Sequence, residues 1–70
     1  MADRIVKRLL RDRLLITLQS GEAFEGLLIE VDDRTVRLAD AYAVTKTSRL
    51  GVTGDLYLPR QDILYMQKPR

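Results

Sequence analysis

Cysteine and histidine are both absent from this sequence of 70 residues. The chain can therefore form no disulfide and lacks the ligands that most zinc sites use. The absence of histidine also removes the commonest general base, and the adjacent Asp32 and Asp33 in a predicted turn cannot share a proton. No glycine-rich phosphate loop is present. We expect no enzymatic activity, no cofactor and no metal site.

Long hydrophobic runs are absent as well. No stretch approaches the roughly 20 apolar residues of a membrane-spanning helix. The start of the chain is charged, with Asp3, Arg4, Lys7 and Arg8 among its first eight residues, and lacks the apolar core of a signal peptide. We expect a cytoplasmic protein that does not associate with membranes.

The chain is short for a self-sufficient core. A domain of this length buries only about 60% of the surface of its unfolded chain. Small domains compensate with disulfides, metals or oligomerisation, and the composition leaves only the last of these. Segments 23–31 and 63–66 are apolar on both faces, which also favours self-association.

Charge is unevenly distributed although the net charge is only +2. Residues 1–13 and 44–70 each carry five basic and two acidic groups, whereas residues 14–43 carry two basic and six acidic groups. Basic ends are compatible with a phosphate-binding face, and a solvated basic helix explains them equally simply. The charge pattern leaves both interpretations open.

Alternation of apolar and polar residues predicts consecutive strands in the first two thirds of the chain. Leu14, Ile16 and Leu18 show the period of two that is typical of a half-buried strand. Gly21 supplies a tight turn after them, because glycine accepts a positive φ. The predicted strands of this meander are residues 13–19, 22–31 and 34–44. Gly26 lies inside the second strand, where a glycine indicates a bulge, a bend or a close backbone approach.

The two ends of the chain complete the predicted fold. Ile5, Val6, Leu9 and Leu10 recur at helical spacing behind Asp3, a plausible N-cap, and predict an amphipathic helix over residues 3–12 that covers the open end of the sheet. Residues 45–54 are predicted as a hairpin loop, and strands follow at 55–59 and 63–67. Residues 1–70 then form a single, mainly β domain: a short N-terminal helix followed by a five-stranded, strongly bent antiparallel sheet, as in small SH3-like barrels.

Two segments resemble the sequence motifs of the Sm and Sm-like (LSm, Hfq-related) proteins. The first motif is matched by residues 18–21 (LQSG), 24–28 (FEGLL), Asp32 and 38–41 (LADA), and the second by residues 58–66 (LPRQDILYM). The resemblance covers nearly the whole chain. It implies the Sm-like fold and a cyclic homo-oligomer of about six or seven copies, in which the fourth strand of one subunit pairs with the fifth strand of the next.

The resemblance also implies a partner, single-stranded RNA bound around the pore by the loop after the second strand and the loop between the last two strands. This chain departs from the family pattern in both loops. The usual aromatic or histidine and the asparagine after Asp32 are missing, and Pro59-Arg60 replaces the usual Arg-Gly pair. An arginine can stack on a base and a threonine can hydrogen-bond it, so weak sequence preference is expected. The candidate nucleic-acid-binding residues are Asp32, Arg34, Thr35, Arg60 and Gln61, with Lys7, Arg8 and Arg11 as a possible basic helix face.

Alternatives to RNA binding remain open. Arg34 can instead pair with Asp32 and Asp33, which would make the turn purely structural. The loss of the family's RNA-contacting residues favours a structural or adaptor ring that binds another protein. A monomeric SH3-like module that docks peptides is a third interpretation, for which the sequence offers little aromatic surface.

Overall fold

A computed structural model describes residues 3–69 of the chain. Within this range the elements in chain order are α1 (Asp3–Lys7), β1 (Arg13–Leu18), β2 (Ala23–Val31), β3 (Thr35–Val44), β4 (Arg49–Gly51), β5 (Leu56–Pro59), a 3-10 turn (Arg60–Asp62) and β6 (Ile63–Gln67). The predicted mainly β fold, with a short helix before a bent antiparallel sheet, is confirmed. No helix in the described range is long and apolar enough to cross a membrane.

The strands form one antiparallel sheet with the order β4-β3-β2-β1-β6, and β5 also pairs with β3. The ten residues of β3 are long enough to pair with β5 near one end and with β4 near the other, at Tyr42–Val44. β4 is thus a strand inside the segment that was predicted as a loop. In residues 3–69, β5 pairs only with β3 and β6 only with β1, so each has one unpaired side.

Gly26 marks a close approach of β2 and β3 and an irregularity in their pairing, as predicted. A Cβ atom at this position would lie 3.1 Å from the Cβ atoms of both Leu38 and Ala41 on the neighbouring strand. The pairing of β2 with β3 also shifts register between Glu25 and Leu27. A Cβ atom here would require its neighbours to move by a few tenths of an ångström, so glycine favours the close approach of the two strands. An irregularity of this kind bends a strand locally.

The predicted helix is too long at its C-terminal end. α1 ends at Lys7, and residues 8–12 form a turn. Arg11 adopts a left-handed φ of 71° and donates its N–H to the Leu28 carbonyl at 2.7 Å, while the Leu28 N–H donates to the Asp12 carbonyl at 2.9 Å. The helix stops because the backbone after it pairs with β2. This pairing satisfies the N–H and carbonyl groups of Leu28, which a longer helix would leave unpaired.

The core lies inside the curled sheet. It contains Leu14, Ile16, Leu28, Val36, Leu38, Ala41, Leu58 and Ile63. α1 contributes Val6, which is 1% exposed, and Leu9 in the following turn packs against the cluster. Ile5 and Leu10 were expected on the same buried face, but they are 63% and 38% exposed. The short helix and the turn after it bury only part of the predicted apolar stripe.

Candidate nucleic-acid interface

The two loops named from the sequence meet at one end of the sheet. The pairing of β3 with β5 places Thr35 opposite Pro59, so the chain before Thr35 and the chain after Pro59 are neighbours. The Arg60 N–H donates to the Arg34 carbonyl at 2.8 Å and fastens one loop to the other. Residues 32–35 and 59–61 therefore form one continuous surface.

Asp32 shapes the first loop. Its Oδ1 accepts the N–H groups of Arg34 at 2.8 Å and Thr35 at 2.7 Å, and its own N–H donates to the Thr35 carbonyl at 3.0 Å. The hydrogen bond from Arg34, then that from Thr35, and the nearby charges of Arg60 and Arg34 lower the pKa of the Asp32 carboxyl below its usual value of 3.8. The ionised side chain is the acceptor that holds this tight turn in shape.

The Arg60 side chain also connects the two loops. It stands at the start of the 3-10 turn, and its Nη1 donates to the Asp32 carbonyl at 2.7 Å. Arg60 is also one of the residues that line a largely apolar groove between the helix and β6. Arg60 thus has a structural part in joining the loops, besides the charge that it brings to their surface.

A depression of about 410 Å³ lies between the two loops. It is lined by Asp33, Arg34, Thr35, Pro59, Arg60 and Gln61, and we call it the loop pocket. Its volume is within the range of about 300–1,000 Å³ that is usual for small-ligand sites. Four of the five predicted loop residues line the loop pocket, whereas Asp32 holds the turn behind it.

Arg34 projects an exposed and unpaired guanidinium. With the residues of 3–69 it forms no side-chain hydrogen bond and no ion pair, so it does not pair with Asp32 or Asp33 as one interpretation of the sequence suggested. Its charge lowers the pKa of the Asp32 carboxyl only through space. A free guanidinium beside a depression can bind a phosphate or stack on a base.

Asp33 is a lining residue that was not among the candidates from the sequence. It is exposed, and its carboxylate has no partner within the described range. The signal that could have identified it is its position: it stands between the aspartate that shapes the turn and the arginine that projects from it.

Arg37 occupies a second, smaller depression of about 180 Å³ next to the loop pocket. Its Nη1 lies 3.6 Å from Glu30 Oε1 and donates to the Tyr57 hydroxyl at 3.2 Å, and its Nε lies 3.5 Å from Asp55 Oδ2. Two carboxylates thus neutralise Arg37, which leaves it poorly suited to attract a phosphate.

The predicted basic helix face is separate from the loop pocket. Lys7, Arg8 and Arg11 are exposed and line neither the loop pocket nor the groove beside the helix. No group of acidic side chains suited to hold a metal ion occurs within residues 3–69.

Large apolar side chains are exposed on the strands at the edges of the sheet. Leu50 on β4 is 60% exposed and Tyr57 on β5 is 57% exposed, while Leu64 and Tyr65 on β6 are 52% and 48% exposed. Apolar side chains on strands with an unpaired side are typical of a surface that another chain covers.

Comparison with known proteins finds no matching protein-family model and no matching curated protein. Solved structures do match. A heptameric archaeal Sm protein is 15% identical with a TM-score of 0.85, and the match covers 96% of this chain and 98% of that one. The Sm protein of Pyrococcus abyssii, solved in complex with a uridine heptamer, is 24% identical with a TM-score of 0.86 and 99% coverage of both chains.

A third match is a chain in the crystal structure of the NatC complex bound to CoA. It is 17% identical with a TM-score of 0.79, and the match covers 93% of this chain and 84% of that one. The element order, the bend at Gly26, the two joined loops and these structural matches agree. The protein has the Sm-like fold.

Proposed function

We propose that this protein assembles into a closed ring of identical subunits, about six or seven in number, that binds single-stranded RNA around its pore. The exposed apolar side chains on β5 and β6 support the ring, because closure would pair both strands and cover both surfaces. The similar structures include a heptameric archaeal Sm protein and an Sm protein in complex with a uridine heptamer, which supports the same proposal.

The observation that carries the RNA proposal is the loop pocket with the unpaired guanidinium of Arg34 at its border. In a ring, each subunit would contribute one such pocket. Arg34 stacks on a base or binds a phosphate, Thr35 offers a hydroxyl, and Arg60 adds positive charge. Phosphate attraction supplies most of the affinity in this mechanism, so sequence preference is weak and binding falls steeply with salt.

The test measures mass and RNA binding in the same sample. Light scattering should give about six or seven times the 8.0 kDa of one chain. Fluorescently labelled oligouridine and oligoadenosine should both raise their anisotropy when the protein is added at low salt, and both should lose affinity at moderate salt. A monomer would overturn the ring, and an oligomer that binds neither RNA at low salt would overturn the RNA proposal.

Arg34→Ala tests whether RNA binds at the loop pocket. Loss of one stacking or phosphate contact in every pocket should weaken RNA binding by at least about tenfold and reduce its salt dependence, because stacking on one base contributes about 1–3 kcal/mol. Lys46→Ala is the control. It removes the same charge from an exposed side chain that lines a different groove. Equal effects of the two variants would mean that binding depends on overall charge and not on the loop pocket.

A second candidate function is an adaptor that binds another protein. The exposed apolar side chains on β4, β5 and β6 favour it, and so does the structural match to a chain of the NatC complex. An adaptor would show no salt-dependent RNA binding, and Arg34→Ala would leave its interactions unchanged. Measurement of RNA binding at low salt therefore separates the two functions.

A further inference from the structure

The electrostatic mechanism leaves Asp33 without a role. Asp33 is one of the residues that line the loop pocket, together with Arg34 and Arg60, yet a negative charge repels the phosphates that the arginines attract. It does not hold the turn, since Asp32 does so, and within residues 3–69 it has no hydrogen-bond or ion-pair partner. An unpaired acceptor in a cationic pocket is suited to a ligand that brings hydrogen-bond donors.

The bases of RNA differ in the donors that they can offer to a carboxylate. On its Watson–Crick edge, guanine presents two adjacent donors, N1–H and the N2 amino group. Adenine and cytosine each present one amino donor next to an acceptor nitrogen, and uracil presents its N3–H between two carbonyl oxygens. An ionised carboxylate only accepts hydrogen bonds. It can therefore bind guanine through both oxygens, whereas each other base sets a lone pair against one of them.

Gln61 adds the complementary donor. The third group on the Watson–Crick edge of guanine is O6, an acceptor. Gln61 lines the same loop pocket, is exposed, and carries an amide NH₂ that can donate to such an oxygen. Arg34 provides a guanidinium plane on which the base can stack. The loop pocket thus contains an acceptor pair, a donor and a stacking surface.

We infer that the loop pocket prefers guanine: the Asp33 carboxylate accepts N1–H and N2–H, Gln61 donates to O6, and Arg34 stacks on the ring. This inference rests on the proposed RNA-binding function. It identifies guanine as the base favoured by the weak sequence preference expected of the protein. Asp33 lowers the general affinity for phosphates and in return selects the base.

The experiment compares labelled hexanucleotides of alternating uridine and guanosine, uridine and adenosine, and uridine alone, at one salt concentration. Alternating sequences avoid the quadruplexes that runs of guanosine form. The wild-type protein should bind the guanosine-containing strand about tenfold more tightly than the other two, as is typical of one good bidentate base contact. Guanosine 5′-monophosphate should displace this strand at concentrations at which adenosine 5′-monophosphate does not, but less effectively than the unlabelled strand, which also offers several phosphates.

Asp33→Asn tests the role of the carboxylate. It should abolish the preference for guanosine and leave binding of oligouridine equal or tighter, because a repulsive charge is removed. This outcome differs from that of a variant that damages the pocket, which would weaken binding of every strand. Glu22→Gln removes a negative charge from the turn between β1 and β2, outside the loop pocket, and should keep the preference.

The binding measurements distinguish a failure of guanine selection from a failure of RNA binding. Equal binding of all three strands by the wild type, equal displacement by the two nucleotides, or a guanosine preference that survives in Asp33→Asn would overturn guanine selection and leave RNA binding intact. A protein that binds none of the strands at low salt would overturn both.

Discussion

The absence of a side chain at Gly26 allows β2 and β3 to approach each other closely. A methyl group at this position would lie 3.1 Å from two Cβ atoms and 3.2 Å from the carbonyl oxygen of Ala39, and none of these is the movable end of a side chain. Gly26→Ala should therefore destabilise the protein by about 1–3 kcal/mol, the usual cost of overpacking. Chemical denaturation measures this loss.

Gly51→Ala is the control for that variant. Nothing lies within 4 Å of the Cβ that it would add, and its backbone does not require a positive φ. The change should leave stability unaltered or slightly raised, because alanine restricts the unfolded chain. If Gly26→Ala were as harmless as Gly51→Ala, the bend of the sheet would not depend on the missing side chain.

Asp32 makes the stability of the loop depend on pH. Its pKa is lowered in the folded protein, so between that lowered value and the usual 3.8 the unfolded chain binds more protons than the folded chain. Its contribution to stability is therefore complete above about pH 3.8 and decreases as the pH falls through the folded pKa.

The corresponding measurement is the difference in stability between the wild type and Asp32→Ala as a function of pH. The difference should be largest near neutral pH and shrink in acid. Asp33→Ala removes a neighbouring carboxylate that accepts no hydrogen bond within the described residues and is the control for the loss of one negative charge. A difference for Asp32→Ala that stays constant down to pH 2 would contradict the assigned role.

For single residues, prediction from sequence succeeded where backbone geometry restricts the choice of residue. Gly26 was identified because a glycine inside a strand indicates a bulge, a bend or a close backbone approach. Asp33 was missed as a lining residue because its role depends on where its side chain points in a turn. Sequence spacing does not determine that direction.

The strands of the meander are the elements that the sequence predicts best. Their period of two is set by burial on one face, and β1, β2 and β3 begin and end within one residue of the predicted bounds. α1 was predicted five residues too long, because the apolar spacing continues through Leu9 and Leu10 while the backbone leaves the helix to pair with β2. β4 was not predicted as a strand because its three residues, Arg49–Gly51, are too few to show a period of two.

The unpaired side of β6 allows a test of the proposed contact between subunits. Leu64 is 52% exposed on a strand that pairs only with β1 within residues 3–69, so its substitution should leave the subunit folded. Leu64→Lys should reduce the mass in light scattering to that of one chain, because a charge on an edge strand opposes pairing with another chain. Leu10→Lys changes an apolar residue outside the strands and should leave the mass unchanged. An intact oligomer in Leu64→Lys would exclude β6 from the interface.

The whole molecule is small enough that assembly should contribute to its stability. If only folded chains assemble, the melting temperature should rise with protein concentration. Differential scanning fluorimetry over a hundredfold range of concentration measures this. The melting temperature of Leu64→Lys should be lower and independent of concentration, and a wild-type melting temperature that does not vary would contradict coupling between folding and assembly.

The 3-10 turn Arg60–Asp62 joins β5 to β6, which lie at opposite edges of the sheet. One short turn therefore separates the two surfaces through which subunits of the proposed ring would meet, and the same turn supplies Arg60 and Gln61 to the loop pocket. A bound ligand and a neighbouring subunit would therefore both affect this one short turn. By linkage, a ligand that binds the assembled form more tightly than the single subunit must strengthen assembly to the same extent that assembly strengthens binding.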